Sequence, residues 1–194
     1  MAWAALDRAV RTVEEFGQEG PVERWRALRD QIHTSVCREG FNVEKNSFVQ
    51  SYGSTTVDAS LLQIPLVGFL PPEDPRVRGT LEAIERELMH DGLVMRYRTE
   101  GSMDGLPAGE GIFLACSFWF VDNLVLQGRM QDANAMFEQL LALRNDVGLL
   151  AEEYDRRARR QLGNFPQGFS HLGLVNTALN PIQAGPAQQR GSDD

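Results

Sequence analysis

The 194-residue chain is 42% hydrophobic, which suffices to bury one sizeable core within the size range of a single domain. Its 27 acidic against 19 basic residues leave a formal charge of -8, which argues against nucleic acid or an anionic membrane surface as a partner and favours a small neutral one. Two cysteines, Cys37 and Cys116, lie outside any CxxC or Cys/His cluster, and no glycine-rich phosphate cradle occurs, so neither a metal nor a cofactor is implied.

No basic-then-apolar leader opens the chain, and the longest apolar run, 112–121, is too short to cross a bilayer, so a cytoplasmic location is expected. Trp3, Leu6, Val10 and Val13 share one helical face from the third residue, with no Ser, Thr, Asp or Asn ahead of them as a cap. This first helix is expected to begin before residue 1. Gly20-Pro21 announces a second helix through Val22, Trp25, Leu28, Ile32 and Val36 to a stop at Gly40, forming a hairpin with the first. Residues 57–70 predict a helix apolar nearly all round, interrupted by Pro65, whereas 75–90 confine their apolar residues to Val77, Leu81, Ile84 and Leu88. The alternation repeats: 112–126 are apolar on every face, and 132–143 are amphipathic through Ala133, Met136, Phe137, Leu140 and Leu141. A turn at 163–167 precedes a final helix over 169–179, and 181–194, rich in Pro, Gln, Gly and Asp, read as a disordered tail.

An inner ring of helices enclosed by an outer ring produces this rhythm, because inner helices meet protein on all sides and outer ones meet water on one. The connections are unequal. Inner-to-outer links near 71–74 and 128–131 are short, and outer-to-inner links near 40–56, 91–111 and 144–168 are long, which places every long link at one end. Long loops on a compact scaffold are where binding and catalysis concentrate. These three carry Tyr52, Tyr97, Arg98, Glu110, Glu152, Glu153, Tyr154 and Asp155.

The cluster Glu152, Glu153, Asp155, flanked by Leu149-Leu150 and Tyr154, is the best placed for a carboxylate of tuned acidity. Inverting glycoside hydrolysis uses one carboxylate to activate water and a carboxylic acid across the scissile bond to protonate the leaving oxygen. Taken alone, three acids in four residues are more often a solvated turn, and composition does not choose among them. Arg98 and Glu110 suit sugar hydroxyls, with Tyr97 as an apolar face; the alternative is a loop salt bridge, with Glu110 at a helix N-terminus. Ser117 sits mid-helix without a nucleophile elbow and reads as core. His33, His90 and His171 fit no metal spacing, and for His171 a helix-packing role is favoured over the pocket rim.

The chain resembles the bacterial branch of glycoside hydrolase family 15, which includes glucoamylases and α,α-trehalases. The resemblance rests on Ala2-Trp3-Ala4-Ala5-Leu6-Asp7-Arg8-Ala9, Gln50-Ser51-Tyr52-Gly53-Ser54, Asp58-Ala59-Ser60-Leu61-Leu62 and Gly68-Phe69-Leu70-Pro71-Pro72. It continues in Tyr97-Arg98-Thr99-Glu100, Gly109-Glu110-Gly111 with Cys116-Ser117-Phe118-Trp119, Leu150-Ala151-Glu152-Glu153-Tyr154-Asp155, and Gly163-Asn164-Phe165-Pro166-Gln167 with Phe169-Ser170-His171. It implies an all-α fold, roughly the second half of an (α/α)6 toroid of the six-hairpin glycosidase kind, with residues 1–180 as the C-terminal part of a catalytic domain. It also implies inverting cleavage of an α-glucosidic bond in trehalose or an α-glucan. Matching the family pattern puts the catalytic base on Glu152, with Glu153 beside it orienting or binding, and Arg98 and Glu110 as sugar-contacting positions.

One departure bears on activity. The family's general acid lies in a Trp-Glu segment shortly before the helix that starts here, so the chain is expected to hold the base without the acid and to hydrolyse little by itself. About half the helices are also expected to be missing, leaving inner helices such as 112–126 exposed along an apolar edge that invites association. The competing reading is a non-catalytic helix-hairpin binding module on the same scaffold; a solenoid is disfavoured because its loops repeat at fixed period.

Overall fold

The computed structural model describes residues 1–98 and 111–182. Seven helices carry the fold: α1 (Ala2–Phe16), α2 (Val22–Glu39), α3 (Gln63–Leu66), α4 (Pro75–Leu88), α5 (Leu114–Leu126), α6 (Met130–Leu141) and α7 (Gly168–Ile182). Short antiparallel ribbons occupy the long links. β1 (Phe41–Asn42) pairs with β2 (Ser47–Phe48), β3 (Met89–His90) with β4 (Leu93–Val94), and β5 (Ile112–Phe113) with β6 (Glu153–Asp155), which pairs in turn with β7 (Arg160–Leu162). Among the described residues no helix is long and apolar enough to cross a membrane.

α1 and α2 form the expected hairpin, closed by the left-handed Gly17. A buried carboxylate locks it: Asp7, 4% exposed, meets the guanidinium groups of Arg8 at 2.7 Å, Arg11 at 3.1 Å and Arg29 of α2 at 3.5 Å. The amphipathic reading of α4 holds residue by residue, with Val77, Leu81, Ile84 and Leu88 all buried. α5 is the hub. Leu114, Ala115, Cys116, Phe118, Phe120, Val121 and Leu124 are buried with the polar Ser117, Asp122 and Asn123, and the helix packs against α6, α7 and the turn ahead of α3. Full burial of one large apolar side chain of this kind contributes about 1.5–3 kcal/mol.

Two of these polar residues are spent on neighbouring backbone, while Asp122 accepts the side-chain amide of Asn180. Ser117 Oγ accepts the Val94 N–H at 2.9 Å, and Asn123 Nδ2 donates to the Leu62 carbonyl at 3.0 Å. On the other side α7 lies close because Gly173 has no side chain; a Cβ there would sit 3.1 Å from Phe118.

Three expectations need correction. Residues 57–70 do not form one long helix: Asp58 caps a single 3-10 turn at Ala59–Leu62 through the Ser60 N–H, and four residues of α3 follow before the chain turns at the left-handed Gly68. The apolar pattern there is burial without helical continuity. The residues over 112–126 are not left exposed either, since α6 and α7 cover them; the exposed apolar stripe lies on α7, where Phe169 is 46%, Leu172 60%, Val175 50% and Leu179 45% exposed. The last helix also runs further than 179, to Ile182, into the segment read as a tail; 183–194 lie outside the described residues.

Asp74 starts α4 by accepting the Arg76 N–H at 2.9 Å and the Arg76 side chain at 2.7 Å, and the bond from that side chain, with the backbone bond, holds its carboxyl below the usual range against the opposing effect of burial. A depressed folded value means that this stabilisation is complete above the ordinary carboxylate range and is lost as the pH falls through the folded value. Asp74→Ala is expected to cost about 1 kcal/mol near neutral pH. Urea midpoints of the two proteins should converge under strongly acidic conditions; a gap independent of pH would contradict the assignment.

Candidate active site

The link from α6 to α7 opens with a turn set by Asn145, whose Oδ1 accepts the N–H groups of Val147 at 3.1 Å and Leu149 at 2.8 Å. The chain then dives inward, with Leu150 0% and Ala151 1% exposed. Buried backbone outside a helix must find partners elsewhere, and here it does so completely. The Leu150 N–H donates to His171 Nε2 at 3.3 Å and its carbonyl accepts the Gln167 N–H at 2.9 Å. The Ala151 N–H donates to Gln161 Oε1 at 2.5 Å and its carbonyl accepts Ser170 Oγ at 2.8 Å. The Glu152 N–H donates to the Asn164 carbonyl at 3.0 Å and its carbonyl accepts the Leu114 N–H at 3.0 Å.

The three acids of the cluster then separate by function. Asp155 Oδ1 accepts the N–H groups of Ala158 at 3.0 Å and Arg157 at 2.9 Å, so it shapes the β6–β7 turn, and these amide bonds hold its carboxyl below the usual range. Glu153 Oε2 accepts the Gly111 N–H at 3.1 Å, beside β5. Glu152, half-buried, takes the Asn164 N–H at 3.2 Å and Asn164 Nδ2 at 2.9 Å on Oε2, while Oε1 accepts no hydrogen bond among the described residues. The geometry suits a carboxylate fixed at one oxygen and offering the other.

The second and third long links meet where the Gly111 N–H donates to Glu153 Oε2. The Ala59 N–H donates to the Arg96 carbonyl at 2.8 Å, Ile112 pairs with Tyr154, and Lys45 Nζ meets Glu87 at 2.6 Å, at the end of α4 where Arg98 also docks. Arg98 itself is exposed and donates to the Glu87 carbonyl at 3.4 Å rather than to either glutamate. Tyr97 lies beneath the Arg96 guanidinium, 5.4 Å from ring centre to carbon, and Tyr52 shares a 3.3 Å hydrogen bond with Ser35 of α2. Glu110 lies outside the described residues. An aromatic wall flanks the acidic strand: Phe113, in register with Glu153, has its ring centre 6.0 Å from Phe169, which lies 5.8 Å from Trp119.

Gln161, Asn164, Ser170 and His171 hold this segment, and sequence reasoning did not single them out for that role. His171 bonds the chain at both ring nitrogens, Nδ1 to the Gln167 carbonyl at 2.8 Å and Nε2 to the Leu150 N–H, which fits a neutral ring protonated on Nδ1. The clue in the sequence is a run of polar side chains just after a turn, where helix packing alone needs none.

Comparison with known proteins gives this scaffold a family. Residues 1–179 match the model for glycosyl hydrolases family 15, and the chain belongs to that family. It is 43% identical over 179 residues to a trehalase of Thermoplasma volcanium and 45% identical over 184 residues to a trehalase of Mycobacterium tuberculosis. These alignments cover 92% and 95% of the chain but only 28% and 27% of the relatives, so the chain spans less than a third of their length. Among solved structures it superimposes on a glycosidase bound to glucose with a TM-score of 0.77 at 22% identity, covering 92% of this chain and 49% of that one. A wild-type glycosidase gives 0.76, also at 22% identity, with 51% of its chain covered. The fold is thus part of a helical glycosidase toroid.

His171→Phe is expected to leave the Leu150 N–H unpaired and to lower unfolding stability by about 1–3 kcal/mol. Ser170→Ala should lose a smaller amount, because the Ala151 carbonyl has weaker need of a partner than a buried N–H. An unchanged urea midpoint in both variants would mean that the segment is not held as described.

Proposed function

We propose that residues 1–180 form the base-bearing portion of an inverting glycoside hydrolase, with Glu152 as the general base and the general acid supplied from outside residues 1–194. The observation that carries this reading is the state of Glu152: a half-buried carboxylate whose Oε2 is fixed by two hydrogen bonds and whose Oε1, which accepts none among the described residues, can take a proton from water. Inversion needs room for that water between two carboxyl groups, about 6.5–9.5 Å apart, so the partner acid belongs across the site from Oε1. The substrate is a small neutral carbohydrate with an α-glucosidic bond, in accord with the chain's net charge of -8; the trehalase relatives favour trehalose over an α-glucan. Arg98, Glu110 and Glu153 are assigned to sugar hydroxyls, Arg98 at the exposed rim and Glu153 beside the aromatic wall.

The same reading gives the α7 stripe an occupant. Phe169, Leu172, Val175 and Leu179 are exposed along α7, and structures of this fold carry about as much chain again as is found here. The remaining helices of the toroid are assigned to that face. With the stripe bare, the 194-residue chain is expected to self-associate. Sedimentation of the double variant Leu172→Asp, Val175→Asp should shift towards monomer with its helical circular dichroism kept; equal self-association in the variant would remove the stripe from the account.

The 194-residue chain alone should release negligible glucose from trehalose. In a polypeptide that also holds the acid-bearing region, Glu152→Gln should lower kcat by about 10²–10⁴-fold, the usual contribution of a positioned base. Robust hydrolysis by the chain alone, or an active Glu152→Gln enzyme, would sink the proposal.

A further inference from the structure

We propose that Asn164 is the positioning residue of Glu152, an inference that rests on Glu152 being the base. Asn164 grips Glu152 at both ends. Its carbonyl accepts the Glu152 N–H at 3.0 Å, while its own N–H at 3.2 Å and its Nδ2 at 2.9 Å converge on one carboxylate oxygen, Oε2. Backbone and side chain of the glutamate are thereby fixed by a single residue twelve positions along the chain.

The residue before it makes the approach possible. Gly163 adopts φ +75°, and a Cβ there would lie 2.9 Å from Glu152 Oε2 and 3.1 Å from Glu152 Cβ. Any side chain at 163 would push the glutamate off its bonds, so Gly163 and Asn164 act as a unit.

Chemistry accounts for the amide. A glutamate free to rotate would present either oxygen to water in several orientations, and that freedom would have to be lost on the way to the transition state. Two donors on Oε2 remove it in advance and leave Oε1 as the one oxygen open to a proton. An asparagine supplies the second donor without charge. An aspartate of the same shape would replace it with an acceptor and place a like charge against Oε2, and an alanine would keep the backbone N–H and carbonyl bonds while deleting only the Nδ2 bond.

The test has two arms. In 15N NMR spectra of the 194-residue chain, the Asn164 side-chain amide signal should shift when Glu152→Gln replaces the charged acceptor. A signal indifferent to Glu152→Gln overturns the positioning role whatever the activity. In the polypeptide that includes the acid-bearing region, Asn164→Ala should lower kcat on trehalose by about 10–100-fold with KM little changed, as a misplaced reacting group does. Asn164→Asp, closer in shape, should lose more, an order that a packing role would reverse. Full kcat in Asn164→Ala, beside an inactive Glu152→Gln, would overturn the positioning role and leave the base standing. Activity retained in Glu152→Gln would remove the base itself and the inference with it.

Discussion

Three residues outside any helix or strand, Leu150, Ala151 and Glu152, govern the rest of the site, because all six of their N–H and carbonyl groups are hydrogen-bonded to other parts of the chain. An unmade bond in buried surroundings costs about 1–3 kcal/mol, so the segment is stable only where α7, β7, the turn after it and the start of α5 are all in place. Glu152 therefore inherits its position from the helical scaffold. The side chain adds a further constraint through Asn164, and nothing in the local sequence of the acidic cluster alone would have supplied either one.

The scaffold can deliver that precision because its helices serve unequal purposes. α5 is buried nearly all round and uses Ser117 and Asn123 to fix β4 and the turn ahead of α3, so the loop-bearing segments are tied to the most rigid element. α6 and α7 cover it. α7 does two jobs on two faces: Ser170, Gly173 and Thr177 face the core, while Phe169, Leu172, Val175 and Leu179 remain exposed. The exposed apolar face of α7 is the one that the proposed docking of further toroid helices would cover.

Much of this was legible in sequence, and the boundary between what was and was not has a physical cause. Periodicity found α4 at Val77, Leu81, Ile84 and Leu88, and the all-round apolar character of α5 forecast its burial. The stretch 57–70 misled because a buried 3-10 turn and a buried helix have the same composition, and only the Asp58 cap and the left-handed Gly68 distinguish them. The ribbons escaped notice because two or three residues carry no period, and one of the pairings, Ile112 with Tyr154, joins residues about forty positions apart. Within the acidic cluster, composition could not rank three carboxylates. Their separation into a turn former, a strand-edge anchor and a clamped glutamate depends on Ala158, Gly111 and Asn164, whose approach only the fold reveals.

The central claim is that Glu152 activates a water for a single displacement. Cleaving α,α-trehalose with inversion at one anomeric carbon yields one β-glucose from the attacked ring and one α-glucose from the leaving ring, whereas double displacement yields α-glucose from both. The direct measurement is the anomeric composition of the first-formed glucose, read by proton NMR before mutarotation, for the polypeptide that joins residues 1–194 to the acid-bearing region. Equal α and β anomers are the result this account predicts. Glucose formed only as the α anomer would make Glu152 a nucleophile or a bystander, and would contradict it.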